Sequence, residues 1–159
     1  MTDLLIYSLT LYSVLGSAII AGVLFIFSNT IMASLAQLPA AQGIVAMQHI
    51  NRIILNPLFF ILFLGTAFTS TLLAVSQLWH WLKPSSMILL LACACYLVGT
   101  LLVTMVFNVP MNNALKAIDP QTVQATELWA TYLRKWIFWN HVRMVASLLA
   151  AVFFILALG

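Results

Sequence analysis

Between Asp3 and Arg52 the chain carries no Lys, Arg, Asp or Glu, and most of what lies between is aliphatic or aromatic. A soluble domain cannot present such a stretch to water, because its surface helices need a charged face. Across the whole chain, hydrophobic residues make up 64% against 6% charged, with a mean hydropathy of +1.12. These values define an integral membrane protein. At roughly 20 apolar residues per spanning helix, the sequence supplies four spans. The expected fold is therefore all-α, an integral membrane four-helix bundle forming a single membrane domain over residues 1–159.

Punctuation along the chain places the spans at about 4–27, 57–78, 85–107 and 138–158. The first run is longer than a signal-peptide core and is read as a retained span. Its Ser13, Gly16, Ser17, Ala18, Ala21 and Gly22 supply a narrow face for helix packing. After the turn-like Leu38-Pro39-Ala40-Ala41-Gln42-Gly43 an additional amphipathic helix is expected from Pro39 to about Leu55. Ile44, Met47, Ile50 and Ile54 lie on one arc of it and Gln48, Asn51 and Arg52 on another. Such a helix rests on the membrane surface or folds back into the bundle. Asn56-Pro57 is a helix start, since Asn caps free amides and proline at the first position loses no hydrogen bond.

Trp79, His80, Trp81, Lys83 and Pro84 read as an interfacial turn, with His80 an exposed turn residue. Span three is expected to break at Asn108 and Pro110. Asp119-Pro120 reads as a second cap-plus-proline start, opening a helical segment before span four. Only 16 residues follow Arg143, and at 1.5 Å each these cover about 24 Å of a hydrocarbon core roughly 30 Å thick. Asn140, His141 and Arg143 must therefore enter the membrane edge. Cys93 and Cys95 point about 200° apart on a helix and read as small buried residues rather than a redox pair.

Six scattered cations against three acids, a formal charge of +3, form no nucleic-acid surface. Arg52, Lys116, Arg134 and Lys135 fall on one side of the expected topology. The positive-inside rule puts that side in the cytoplasm and both termini outside, in the inner membrane if the source is bacterial.

Three polar clusters then meet at one end of the bundle: Gln48-His49-Ile50-Asn51-Arg52 with Asn56, Asn108 with Asn112-Asn113, and Trp136 with Trp139-Asn140-His141-Val142-Arg143. Each of these residues has a structural role open to it as a cap or an interfacial anchor. Ionisable groups at membrane depth nevertheless mark function. His49, Arg52 and Asn56 can share one helix face. His141 and Arg143 point apart, and the arc of Asn140 and His141 is expected to face the bundle. His49 and His141 could ligate haem axially or hold a metal ion, yet no carboxylate or Cys/His spacing typical of zinc accompanies them. Met47, Met105, Met111 and Met144 could add thioether ligands for copper. A neutral histidine acting as base, beside Asn and Arg that stabilise an enolate or peroxide anion, needs no metal. No P-loop, dinucleotide fingerprint or serine-nucleophile elbow is present.

The spaced motifs Ala21-Gly22-Val23-Leu24-Phe25, Phe27-Ser28, Leu38-Pro39, Met47-Gln48-His49-Ile50-Asn51-Arg52, Asn56-Pro57, Asn108-Val109-Pro110 with Asn112-Asn113, and Trp139-Asn140-His141-Val142-Arg143 together resemble the anthrone oxygenase-like family of small four-span membrane proteins. The resemblance implies a membrane-embedded site for a hydrophobic substrate. Its fungal members are associated with oxidation of phenolic anthrones to anthraquinones by dioxygen.

The expected function is accordingly an oxidoreductase acting on a lipophilic aromatic or quinone-like molecule. His141, His49, Asn140 and Arg143 are the catalytic candidates. Asn51, Arg52, Asn56, Asn108, Asn112, Asn113, Trp136 and Trp139 are candidates for binding substrate. The alternative is a noncatalytic bundle that binds a lipid, haem or a partner subunit, using the same amides for helix packing. A transporter or channel finds few pathway residues here unless the protein forms a homo-oligomer.

Overall fold

The structure, a computed structural model, describes residues 3–78 and 84–159, so Trp79, His80, Trp81 and Lys83 of the expected turn lie outside the described residues. It is all-α, with no strand among the described residues. The helices are α1 (Asp3–Leu35), α2 (Ala40–Ile53), α3 (Pro57–Gln77), α4 (Ser86–Ala117) and α5 (Val123–Leu156). All but α2 are long and apolar enough to cross a membrane. Their outward faces carry Leu15, Ile19, Leu64, Phe68, Val98, Leu148 and Val152, the surface a bilayer would cover.

The four long helices form a ring in which α1 and α4 each pack against both α3 and α5. Small residues allow the close approach. A Cβ on Gly16 would fall 1.9 Å from Thr66 Oγ1 of α3, and one on Gly99 would fall 2.5 Å from the Ala146 methyl of α5. Hydroxyl pairs stitch the same seams, Ser13 to Thr69 and Thr100 to Ser147, each at 2.8 Å. The buried packing face of α1 comprises Ser13, Gly16, Ser17 and Ala21. Ala18 and Gly22 are exposed, each rotated about 100° from its buried predecessor, so the packing face is narrower than expected.

Length differs among the helices in a way the apolar runs do not announce. α3 has 21 residues, whereas α1, α4 and α5 have 33, 32 and 34. At 1.5 Å per residue, α3 spans about 32 Å and the others about 50 Å, against a hydrocarbon core of roughly 30 Å. Three helices therefore continue past the bilayer at the end where α3 begins, and there they build a head.

In that head α2 folds back against α5 and α4. Its Ile44 and Met47 are fully buried beside Leu35, Leu115, Ala125 and Trp129, with Ile50 and Ile54 packed at the margin. Gly43 makes the seat possible, since a Cβ there would meet the Trp129 ring at 2.9 Å and the Leu35 carbonyl at 3.1 Å.

Two expected boundaries move. The Asn108-Val109-Pro110 segment does not break α4, which runs through it to Ala117. Widened π-helical turns at Cys95–Leu102 and Thr104–Asn108 come just before the proline, and such a turn relieves the clash between its ring and the preceding carbonyls. The second helix start is capped by Thr122, whose Oγ1 accepts from Ala125 N at 3.2 Å. Asp119 instead shapes the turn, accepting from Gln121 N at 3.0 Å. From Val123 a single helix runs to Leu156, so the helical segment and the last span are one element. The cap at Asn56 stands as expected, accepting from Phe59 N at 3.0 Å ahead of Pro57.

Candidate functional site

Along α5, Trp129, Tyr132, Trp136, Asn140 and Arg143 recur at three- and four-residue steps, and all are buried on one face. Trp129, Tyr132 and Trp136 stack with ring centroids 5.6 and 5.8 Å apart, and the Arg143 guanidinium lies 5.5 Å from the Trp136 ring. Asn140 is 0% exposed and bonds in three directions. Its Nδ2 donates to the Leu24 carbonyl at 2.7 Å and to Ser28 Oγ at 2.6 Å, where α1 opens into a π-helical turn at Phe27–Ile31. Its Oδ1 accepts from Arg143 Nη2 at 2.5 Å.

Arg143 is 6% exposed. Its Nη1 donates to Thr104 Oγ1 at 3.2 Å, while its Nε has no partner. None of these contacts is a carboxylate. The 13 residues that follow Arg143 up to Leu156 span about 20 Å, which puts the cation within the hydrocarbon depth that the last span defines.

Asn108 and Asn112 lie one turn apart on α4. Asn108 is buried, donates to the Trp136 carbonyl at 3.3 Å, and leaves its Oδ1 unpartnered. Asn112 Oδ1 accepts from Tyr132 Oη and from Trp136 Nε1, both at 2.8 Å. An indole N–H only donates, so the atom facing it is the amide oxygen, and the Asn112 NH2 is left for the other side. That side is a pocket of about 450 Å3, lined by Gln48, His49, Asn51 and Arg52 of α2, by Ile54 and Leu55 beyond it, and by Val109, Asn112, Asn113 and Lys116 of α4.

Two more orientations in the pocket are fixed by chemistry. Arg52 Nη2 lies 2.6 Å from His49 Nδ1. A guanidinium cannot accept, so in this contact Nδ1 is the acceptor and Nε2 carries the ring N–H. Gln48 Nε2 donates to the carbonyls of Leu115 at 2.8 Å and Ile118 at 3.3 Å, tying α2 to α4 and leaving Oε1 for the pocket. Asn51 approaches the Tyr132 hydroxyl.

The structure therefore gathers His49, Asn51, Arg52, Asn112 and Asn113 around the pocket, with Trp136 and Asn108 behind Asn112 and with Asn140 and Arg143 deeper in the bundle. Three expected members lie elsewhere. Asn56 is exposed and caps α3. Trp139 stacks on Phe107 with centroids 3.6 Å apart. His141 faces outward instead of into the bundle. Its Nδ1 donates to the Ile137 carbonyl at 2.9 Å, and the ring lines an open apolar groove with Cys95, Val98, Phe138 and Leu149.

His49 and His141 thus occupy different cavities and form no common ligand pair, and no group of three His, Cys, Asp or Glu is assembled among the described residues. The four methionines are dispersed too, Met47 in the head core and Met105 exposed. Cys93 is buried as expected, but Cys95 is only half-buried. Thr104, Tyr132 and Lys116 are partners that motif reading missed, and Ser28 stood in the Phe27-Ser28 motif without a role assigned to it. The periodic aromatic face of α5 was the signal for Tyr132, and nothing local marks Thr104.

Fold and site together define a multi-pass helical membrane protein with a polar pocket at one end of its bundle. Residues 57–153 match the anthrone oxygenase family, and the chain belongs to that family. The matched segment includes Asn108–Asn113 and Trp136–Arg143, with Gln48–Asn56 preceding it. Comparison with curated proteins and with solved structures gives no match.

Proposed function

We propose that the protein is a membrane oxidoreductase that uses dioxygen to oxidise a lipophilic aromatic ketone or related quinone precursor. The net change is conversion of a ring methylene and O2 to a carbonyl and water. The observation that carries this reading is the pocket itself: about 450 Å3, within the range that buries a compact polycyclic molecule, at the membrane edge of a family member. Removing a proton from such a methylene leaves an enolate, whose charge is stabilised by preorganised donors.

His49 Nε2–H, the Asn112 amide and Arg52 supply donors, with the proton released toward the water-exposed rim. In this arrangement His49 acts as a donor, not as the base. Asn140 and Arg143 support the wall from within the bundle. The head faces the cytoplasm by its charge, with Arg52, Lys116, Arg134 and Lys135 all on that side. Labelling of Gln121→Cys in intact cells by a membrane-impermeant thiol reagent would overturn that orientation.

The test is oxygen uptake by purified protein in lipid nanodiscs with anthrone as substrate, followed with the absorbance of the quinone product. Asn112→Leu and His49→Ala should each reduce turnover at least tenfold while the protein remains folded. Unchanged turnover in both, or no turnover of any polycyclic ketone by the wild type, rejects the reading.

A further inference from the structure

We infer that the pocket binds its ligand as an anion, a lipophilic body carrying an ionised oxygen. The inference rests on reading this pocket as the substrate site. The polar groups whose orientation is fixed are mostly donors. Trp136 and Tyr132 occupy the Asn112 oxygen, so its NH2 faces the pocket. Arg52 occupies His49 Nδ1, so its Nε2–H remains. Arg52 and Lys116 add two cations, no carboxylate among the described residues lines the cavity, and the acceptors among the oriented groups are Gln48 Oε1 and the Asn51 oxygen left when its NH2 meets the Tyr132 hydroxyl. His49, Arg52 and Lys116 are exposed at the pocket, so a ligand that covers them displaces their water; a neutral one would leave most of these donors without acceptors, and a desolvated donor without an acceptor is costly.

About two turns deeper in the bundle the balance is cationic as well. Arg143 is buried at membrane depth, its contacts are all neutral, and its Nε is unpartnered. A cation at that depth ordinarily has a counter-charge close by. Its contact with Trp136, which holds the Asn112 oxygen, links it to the pocket. Its α4 partner Thr104 lies about 12 Å from Asn112 along that helix, so the guanidinium adds to the cationic character beneath the pocket without pairing directly with a ligand at Asn112.

The chemistry is shared by phenolates and carboxylates, and the experiment separates them. Wild-type protein in dodecyl maltoside is titrated with 1,8-dihydroxyanthraquinone, whose colour shifts on ionisation, and with its dimethyl ether. The expected result is a bound dye with the ionised spectrum at a pH where the dye free in the same detergent is neutral, and an ether that binds at least tenfold more weakly. Equal affinity for phenol and ether, a neutral spectrum for the bound dye, or no binding of the dye overturns the inference. Competition by laurate extends the site to carboxylates; ionised dye that laurate does not displace assigns it to phenolates.

Asn112→Asp keeps an oxygen for Tyr132 and Trp136 but turns the pocket-facing donor into an acceptor. It should weaken dye binding about tenfold or more with the melting temperature little changed, and intact ionised binding in this variant would also overturn the proposal. Ionised binding without oxygen uptake removes the oxidoreductase reading and leaves this one standing. Oxygen uptake with equal binding of phenol and ether does the reverse.

Discussion

Replacing Asn140 by Leu should damage the bundle more than replacing Asn140 and Arg143 together. Asn140→Leu removes its bonds to Leu24 and Ser28 and strips Arg143 Nη2 of its acceptor. Hydrogen bonds between membrane helices average about 0.6 kcal/mol each, and one to a buried charge is worth about 1.5–3 kcal/mol. The single substitution should cost about 3–4 kcal/mol on these magnitudes, chiefly because it strands a guanidinium already short of partners. Adding Arg143→Met removes the stranded charge, and an apolar replacement for a buried ion is often neutral. The double variant should therefore recover about 1.5–3 kcal/mol relative to Asn140→Leu. Reversible unfolding with dodecyl sulfate in mixed micelles, followed by circular dichroism for all four proteins of the cycle, gives the coupling directly. Simple additivity of the two substitutions, or a loss below about 0.5 kcal/mol for Asn140→Leu, would refute the account of Arg143 as a cation held by Asn140.

Gly43→Val drives a side chain into Trp129 and the Leu35 carbonyl. It should lift α2 off the head and abolish pocket binding while the four long helices still unfold cooperatively; protease cleavage within Ala40–Ile53, absent from wild type, is the measurement. Thr122→Ala should cost about 1 kcal/mol through loss of the α5 cap and Asp119→Ala less, in the same unfolding assay; the reverse order would restore Asp119 as the cap. His141→Ala, on the outward groove, should shift stability by no more than about 0.5 kcal/mol and leave dye affinity within twofold.

The spans and the α3 start were legible because hydrophobic length and cap chemistry are local properties. The continuation of α1 and α4 into the head was not, because residues 28–35 and 109–117 are of mixed polarity and follow turn-like or proline signals, and the helical segment expected after Asp119-Pro120 was not seen to be continuous with the last span. Pro110 misled for a related reason, since a widened turn absorbs a residue that ordinarily ends a helix. Helical geometry correctly separated His141 from Arg143, but the arc expected to face the bundle carried His141 with Asn140, where the structure has Arg143 with Asn140. The Thr104 hydroxyl of α4, and the Leu24 carbonyl and Ser28 hydroxyl of α1 that anchor Asn140, decide it from other helices. An argument from solvation points the same way, because a neutral imidazole facing lipid is less costly than a guanidinium there.

The short α3 has a kinetic corollary. Its neighbours rise past the length that crosses a bilayer while it stops at Pro57, so the wall on that side of the head is low; exposed Leu55 lines the pocket there and exposed Leu58 follows it at the start of α3. On the proposed function, a substrate dissolved in the bilayer would enter over this sill without passing through water. Saturation should then follow the mole fraction of substrate in the membrane, so adding empty lipid at fixed total substrate would slow turnover by surface dilution.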